Sequence, residues 1–184
     1  MKTVFFDIDS QLDFLFPAGA LYVPRAERIV PAIARLNRFA AAHGIPVVST
    51  TDAHAENDPE FSVWPPHCIA GTLGQHKAAP TLVDSTSQII VEKQTVDVFL
   101  SPNLVRVVER LNADRYVVYG VVTEICVLSA VRGLLRTGKP VTVVTDAVEA
   151  LTAEASARAL EEVLAGGGQL ATVSEICRLV GSVK

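Results

Sequence analysis

Residues 116–138 read YVVYGVVTEICVLSAVRGLLRTG, and this stretch decides what the rest of the chain can be. Tyr116, Val117, Val118 and Tyr119 form a β-branched and aromatic run closed by Gly120, which predicts a buried strand. From near Thr123 the apolar residues Ile125, Val127, Leu128, Val131, Leu134 and Leu135 recur at helical spacing. Thr123 suits the N-cap, Glu124 the first turn, and Gly138 the C-terminal stop. Cys126 therefore falls in the first turn of a helix, just past the carboxyl end of a strand. Open α/β sheets bind ligands at that edge. Unpaired N–H groups and the helix dipole there favour a thiolate. A buried, inert cysteine is the competing reading, because ICVLSAV is an apolar run.

Working outward, Thr3 to Asp9 (TVFFDID) predicts an interior strand of a parallel sheet, with Asp7 and Asp9 on one face and Ile8 on the other. Asp9 either faces the sheet edge that holds Cys126 or caps the following turn, a role that suits Asp13 better. Arg25 to His43 predicts an amphipathic helix stopped by Gly44, and Ile45 to Thr51 a second strand. Asp52 and His54 follow that strand, and His67 follows in the rigid context Trp64-Pro65-Pro66. Asp, His and His suit zinc, manganese or iron, with positions left open for water or substrate. A D-x-H pair also arises by chance in surface loops. His43 and His76 read as solvated.

Gln88 to Glu92 predicts a third strand, with Lys93 at its end. Lys93 is either a surface residue closing the strand or an ammonium aimed across the edge at a thiol and a carboxylate. Asp97 reads as a local cap, and Pro102 to Leu111 as a helix. Arg115 to Gly120 is strand four, and Pro140 to Thr145 strand five with Asp146 after it. Ala153 to Leu164 is a helix, Gln169 to Val173 strand six, and Ser174 the cap of a last helix through Val180. Six strands alternating with helices predict a doubly wound, mainly parallel α/β sheet with helices on both faces and right-handed crossovers.

The chain has 184 residues, which predicts one domain over 1–184. A net charge of −4 gives no reason to expect nucleic acid or anionic membrane as a partner. No apolar run is long enough to span a bilayer, and the N-terminus has no signal-peptide form. Three cysteines without paired spacing predict a reduced, cytoplasmic setting. Neither G-x-G-x-x-G after strand one nor G-x-x-x-x-G-K-[ST] occurs, so a dinucleotide or P-loop phosphate is not expected.

A set of short motifs runs in order from Asp9 to Val127. They are D-x-Q-x-D-F at Asp9 to Phe14, P-x-G-x-L at Pro17 to Leu21, D-x-H at Asp52 to His54, and W-P-P-H-C-x-x-G-T at Trp64 to Thr72. The lysine of V-E-K at Lys93 and G-V-V-T-E-I-C-V at Gly120 to Val127 complete the series. Together they resemble the isochorismatase-like cysteine hydrolases, and within them the nicotinamidase/pyrazinamidase group. The resemblance implies a triad of Asp9, Lys93 and Cys126 and a non-proline cis peptide between Val121 and Val122. It also implies one divalent metal, zinc first, with manganese or iron as alternatives, on Asp52, His54 and His67. Backbone N–H groups of Val122 and Cys126 would form an oxyanion hole, and Phe14, Trp64, Val121 and Ile125 would border the substrate. The implied reaction is hydrolysis of nicotinamide and pyrazinamide-like amides to acid and ammonia through a thioester, by a cytoplasmic homo-oligomer. The register of Gln11, Asp13 and Phe14 makes Asp9, not Asp7, the matching carboxylate. Ala53 and Ala55 stand where that group usually carries Trp and Pro, and Ile125 where it carries an aromatic or His. A maleamate- or ureidoacrylate-type amidase, an isochorismate-type hydrolase and a non-catalytic binding protein are the other readings.

Overall fold

The computed structural model describes residues 1–83 and 88–181. Six parallel strands form one sheet: β1 (Thr3–Ile8), β2 (Val47–Asp52), β3 (Gln88–Lys93), β4 (Arg115–Val121), β5 (Val141–Glu149) and β6 (Gln169–Ala171). Their order is β3-β2-β1-β4-β5-β6. The interior strands are runs of β-branched and aromatic residues because both of their faces are covered. β1 is buried along its whole length. The helices are α1 (Leu12–Leu15), α2 (Val30–Ala42), α3 (Pro102–Leu111), α4 (Leu128–Leu135), α5 (Ala153–Ala165) and α6 (Val173–Gly181). Right-handed crossovers leaving the sheet centre in opposite directions put α2 on one face and α4 and α5 on the other. Accordingly α2 packs with α6, and α4 with α5.

This order places the functional edge. The chain steps outward from β1 to β2 and β3, then returns to β4 on the other side of β1. A crevice opens beyond the carboxyl ends of strands where the order reverses in this way. Gly120 keeps β4 close to β1 there. It lies opposite Ile8 with φ of +119°, and a Cβ on it would stand 2.0 Å from the Ile8 carbonyl oxygen. The Val121–Val122 peptide that follows is cis.

Three details differ from the reading of the sequence. The turn after β4 is a π-helical turn over Thr123–Val127 that leads into α4. Val122 sits at its cap, and its carbonyl accepts from both Ile125 N (3.0 Å) and Val127 N (3.1 Å). β5 continues to Glu149, so Asp146 lies within it and its carboxylate accepts from Val173 N at the head of α6 (2.8 Å). Ser174 lies inside α6. The cap is a reciprocal pair in which Thr172 N donates to Glu175 Oε2 (2.7 Å) and Glu175 N to Thr172 Oγ1 (3.3 Å).

Candidate active site

The ends of β1, β2, β3 and β4 bring four side chains into one buried cluster. Asp9 follows β1 in a left-handed conformation (φ +49°), which turns its carboxylate out of the strand's alternation. Its amide donates to the Thr50 carbonyl (3.2 Å), and the Thr50 hydroxyl donates to Asp9 Oδ1 (2.6 Å). Lys93 ends β3 in register with Asp52 at the end of β2, so parallel pairing alone sets these two side by side. The Lys93 ammonium contacts Asp9 Oδ2 (2.9 Å), Asp52 Oδ1 and Cys126 Sγ (3.7 Å). All four residues are buried, so one cation is shared by two carboxylates and a thiol with little water to screen them.

The electrostatics follow from that sharing. Burial raises the Asp9 carboxyl; Lys93 opposes it, Asp52 adds to it, and the net direction is upward. Burial opposes the charge on Lys93, but Asp9, Cys126 and Asp52 hold its ammonium well above the ordinary lysine range. For Asp52, Lys93 and the two histidines outweigh burial and keep the carboxylate ionised. Burial pushes the Cys126 thiol well above its ordinary range; Lys93 pulls it down, and Asp9 and Asp52 push it up again. The helix start and Lys93, from which a thiolate is expected, thus pull the thiol down, and burial and the two neighbouring carboxylates push it up. Cys68 is also raised by burial and faces the main chain of Gly74.

Beside this cluster, Asp52, His54 and His67 offer one ligand atom each within 4.8 Å of one another, and all three are buried. His54 Nε2 and His67 Nε2 stand 3.9 and 3.8 Å from Asp52 Oδ2. His67 Nδ1 lies 2.7 Å from the Pro65 carbonyl, so its Nε2 is the atom free to ligate. His54 Nε2 is buried with no hydrogen-bond partner among the described residues, as suits an atom left for an ion. Phe61 packs against both imidazoles, with centroids 5.3 Å from His54 and 5.8 Å from His67.

Asp9 and Cys126 form the floor of a pocket holding about 470 Å³ of empty space, its open mouth included. Asp52, Glu60 and His67 line one side, and Phe14, Trp64, Val121, Val122 and Ile125 line others, joined by Leu21, Val23, Val96 and Leu151. His54 stands behind this wall, fully buried. Among the described residues, no Arg or Lys side chain lines the pocket.

The residues named from the sequence for the triad, the metal, the oxyanion hole and the substrate pocket thus lie in or directly behind this crevice. Four others were missed. Gln11 is fully buried; its Nε2 donates to the Asp52 carbonyl (2.8 Å) and its Oε1 accepts from Asp52 N (2.7 Å), which locks the backbone of that ligand to the end of β1. Its place in D-x-Q was the available signal. Asp58 and Glu60 left no trace beyond their spacing from His54. Lys77 drew no reading from the sequence; its ammonium lies 2.8 Å from Asp7 Oδ2, which also accepts from Asn37 Nδ2 (2.7 Å). That pairing occupies Asp7 inside the core and leaves Asp9 as the carboxylate at the sheet edge.

Comparison with known proteins agrees with this geometry. A family profile described as the Isochorismatase domain matches residues 3–175. A nicotinamidase of Escherichia coli K12 is 26% identical over 91% of this chain and 93% of its own length. A nicotinamidase/pyrazinamidase of Mycobacterium tuberculosis H37Rv is 28% identical over 92% of this chain and 96% of its own. The crystal structure of a Pyrococcus horikoshii pyrazinamidase in complex with zinc superposes with a TM-score of 0.86 at 28% identity, covering 94% of this chain and 99% of that one. The match extends from the first strand into the last helix, and the chain belongs to the isochorismatase family.

Proposed function

We propose that this chain, a hydrolase acting on amides, cleaves nicotinamide and related neutral aromatic carboxamides such as pyrazinamide to the acid and ammonia, with residues 1–184 acting as one catalytic domain. The observation that carries the reading is the pocket itself. It is apolar, flanked by Phe14 and Trp64, floored by Cys126 and Asp9, and edged by Asp52 and His67. A flat, uncharged ring matches such walls. A maleamate- or ureidoacrylate-type substrate brings a carboxylate, and none of the described cationic side chains lines the pocket to receive it.

Cys126 is the nucleophile. Because its thiol is held protonated by burial, attack on the amide carbon is coupled to transfer of the S–H proton to Asp9. Asp9 then gives that proton to the nitrogen as the C–N bond breaks and ammonia leaves, with the acyl group held on sulfur as a thioester. In the second half, Asp9 takes a proton from water as the hydroxyl adds to the thioester, and the proton returns to sulfur as the acid departs. The upward shift of the Asp9 carboxyl brings its proton affinity toward that of the groups it serves. Lys93 stays an ammonium throughout, neutralising whichever of Asp9 and Cys126 carries the negative charge. Backbone N–H groups of Val122, at the cap of the turn, and of Cys126, within it, are the donors for the oxyanion, a role worth about 3 kcal/mol per donor.

Asp52, His54 and His67 would hold a divalent metal, zinc first among the options, which supplies a Lewis-acid anchor for a ring nitrogen when bound. Support comes from the donor set and from the zinc in the Pyrococcus horikoshii relative. The test is ammonia release over nicotinamide, pyrazinamide, maleamate and a ureidoacrylate, with metal content measured on the same preparation and Cys126→Ala as the control. Efficient nicotinamide hydrolysis that disappears in Cys126→Ala is expected. Turnover confined to the anionic amides, or retained in Cys126→Ala, would overturn the reading.

A further inference from the structure

His54 must present Nε2 to the cluster, and an imidazole that ligates through Nε2 keeps its proton on Nδ1. The group facing that nitrogen is the Asp58 carboxylate, with Oδ2 at 3.1 Å. The other oxygen of the same carboxylate, Oδ1, accepts from Glu60 N (2.9 Å) and caps the short 3₁₀ turn Pro59–Ser62. That turn carries Glu60 into the pocket lining and Phe61 against both imidazoles. His67 is held in the corresponding way by a carbonyl, with Pro65 O at 2.7 Å from Nδ1. One imidazole is thus backed by main chain and the other by a carboxylate that is also fastened to the pocket wall.

We propose that Asp58 is a positioning residue for the metal site: it fixes the Nδ1–H form of His54, aims Nε2 at Asp52, and ties this ligand to the turn that forms one side of the pocket. The proposal rests on the reading that Asp52, His54 and His67 hold a divalent ion. Carboxylate partners of ligating histidines typically contribute 10- to 100-fold in metal affinity.

The decisive variant is Asp58→Asn. It keeps the shape, and its amide oxygen can still cap Glu60 N, which leaves the NH₂ group facing His54 Nδ1. A donor there favours the Nε2–H form, which cannot ligate. Zinc affinity is measured at one pH by competition with a chromophoric chelator, on wild type, Asp58→Asn and Asp58→Ser. The ¹⁵N shifts of the His54 ring report the tautomer, and thermal melts are run on chelator-treated protein. The expected result is zinc binding weakened about 10- to 100-fold in both variants, a larger Nε2–H population in Asp58→Asn, and an unchanged melting point without metal. Wild-type zinc binding retained in Asp58→Asn overturns the role of Asp58. A lowered melting point of the chelated variant with no tautomer change would make the residue merely structural and overturn it equally. A wild type that binds no zinc overturns the metal reading itself, a failure that the wild-type titration alone reveals.

Discussion

Replacing Lys93 by Met tests the electrostatic core of the site, because one ammonium serves three partners there. It lies 2.9 Å from Asp9, touches Asp52, and stands 3.7 Å from the Cys126 sulfur. Met preserves most of the volume and removes the charge. Asp52 keeps the two histidines nearby, but Asp9 is left with burial and the Asp52 charge, both of which raise it, and with only the Thr50 hydroxyl in opposition. Asp9 in Lys93→Met therefore takes up a proton at a pH where the wild-type carboxyl is ionised. A neutral carboxylic acid cannot accept the Cys126 proton. Turnover should fall by at least the two to four decades that such a base contributes, and the acid limb of the kcat/KM profile should move to higher pH.

The linkage signs make the stability test sharp. Lys93 has its folded pKa raised above the unfolded value, so its contribution is complete below the unfolded lysine pKa and constant from pH 5 to 8. Asp9 is also raised in the folded state. Folded protein then binds the extra proton, and stability falls as pH rises from the unfolded carboxyl value to the folded one. Lys93→Met extends that interval upward. Within the extension, the variant loses about 1.4 kcal/mol per pH unit relative to wild type. Breaking a buried ion pair by removing one partner typically costs about 3–5 kcal/mol in all. Guanidinium melts of chelator-treated wild type and variant at pH 5 and pH 8 supply the measurement. The variant's deficit should be much larger at pH 8. A deficit equal at the two values, with an unmoved acid limb, would refute the view that Lys93 keeps Asp9 ionised.

Two further substitutions probe the sheet edge. Asp9→Asn should lower turnover by about two to four decades with the fold retained, whereas Asp7→Asn should chiefly lower the melting point, because Asp7 sits on Lys77 and Asn37 inside the core; a catalytically dead Asp7→Asn beside an active Asp9→Asn reverses the assignment. Gly120→Ala puts a Cβ 2.0 Å from the Ile8 carbonyl at a φ of +119°, so it should cost several kcal/mol, above the roughly 1 kcal/mol of an ordinary substitution, and be read by chemical denaturation; wild-type stability and activity would show that β1 and β4 can separate there without loss.

The fold was legible because its signals are periodic and local. The interior strands are rich in β-branched residues, the longer helices carry an amphipathic stripe, and right-handed crossovers leave few ways to assemble them. The site was legible for the same reason at one remove: Asp9, Asp52, Lys93 and Cys126 stand at or just past strand ends, and a parallel sheet puts every such end on one edge. What stayed hidden depended on three-dimensional neighbours. Asp146 looked like a residue after a strand, but α6 needed its carboxylate as a partner for Val173 N, and β5 runs on past it. Thr123 looked like an N-cap, but the chain makes a π turn there and Val122 takes that place.

Cys126 carries the more instructive difference. Helix position and a nearby lysine are both visible in sequence, and both argue for a thiolate. Burial and the summed charge of Asp9 and Asp52 are visible only in three dimensions, and they push the other way. The consequence is mechanistic. A preformed thiolate would leave Asp9 with no proton to take in the first step. A resting thiol makes attack and proton transfer to Asp9 one event, so nucleophilicity develops only when an amide is in place to receive the sulfur. The apolar pocket proposed to select a neutral ring and the burial that raises the thiol are products of the same packing around β1 and β4. Loosening that packing would expose the sulfur and weaken selection together, which ties specificity and protection of the nucleophile to the strand ends that form the crevice.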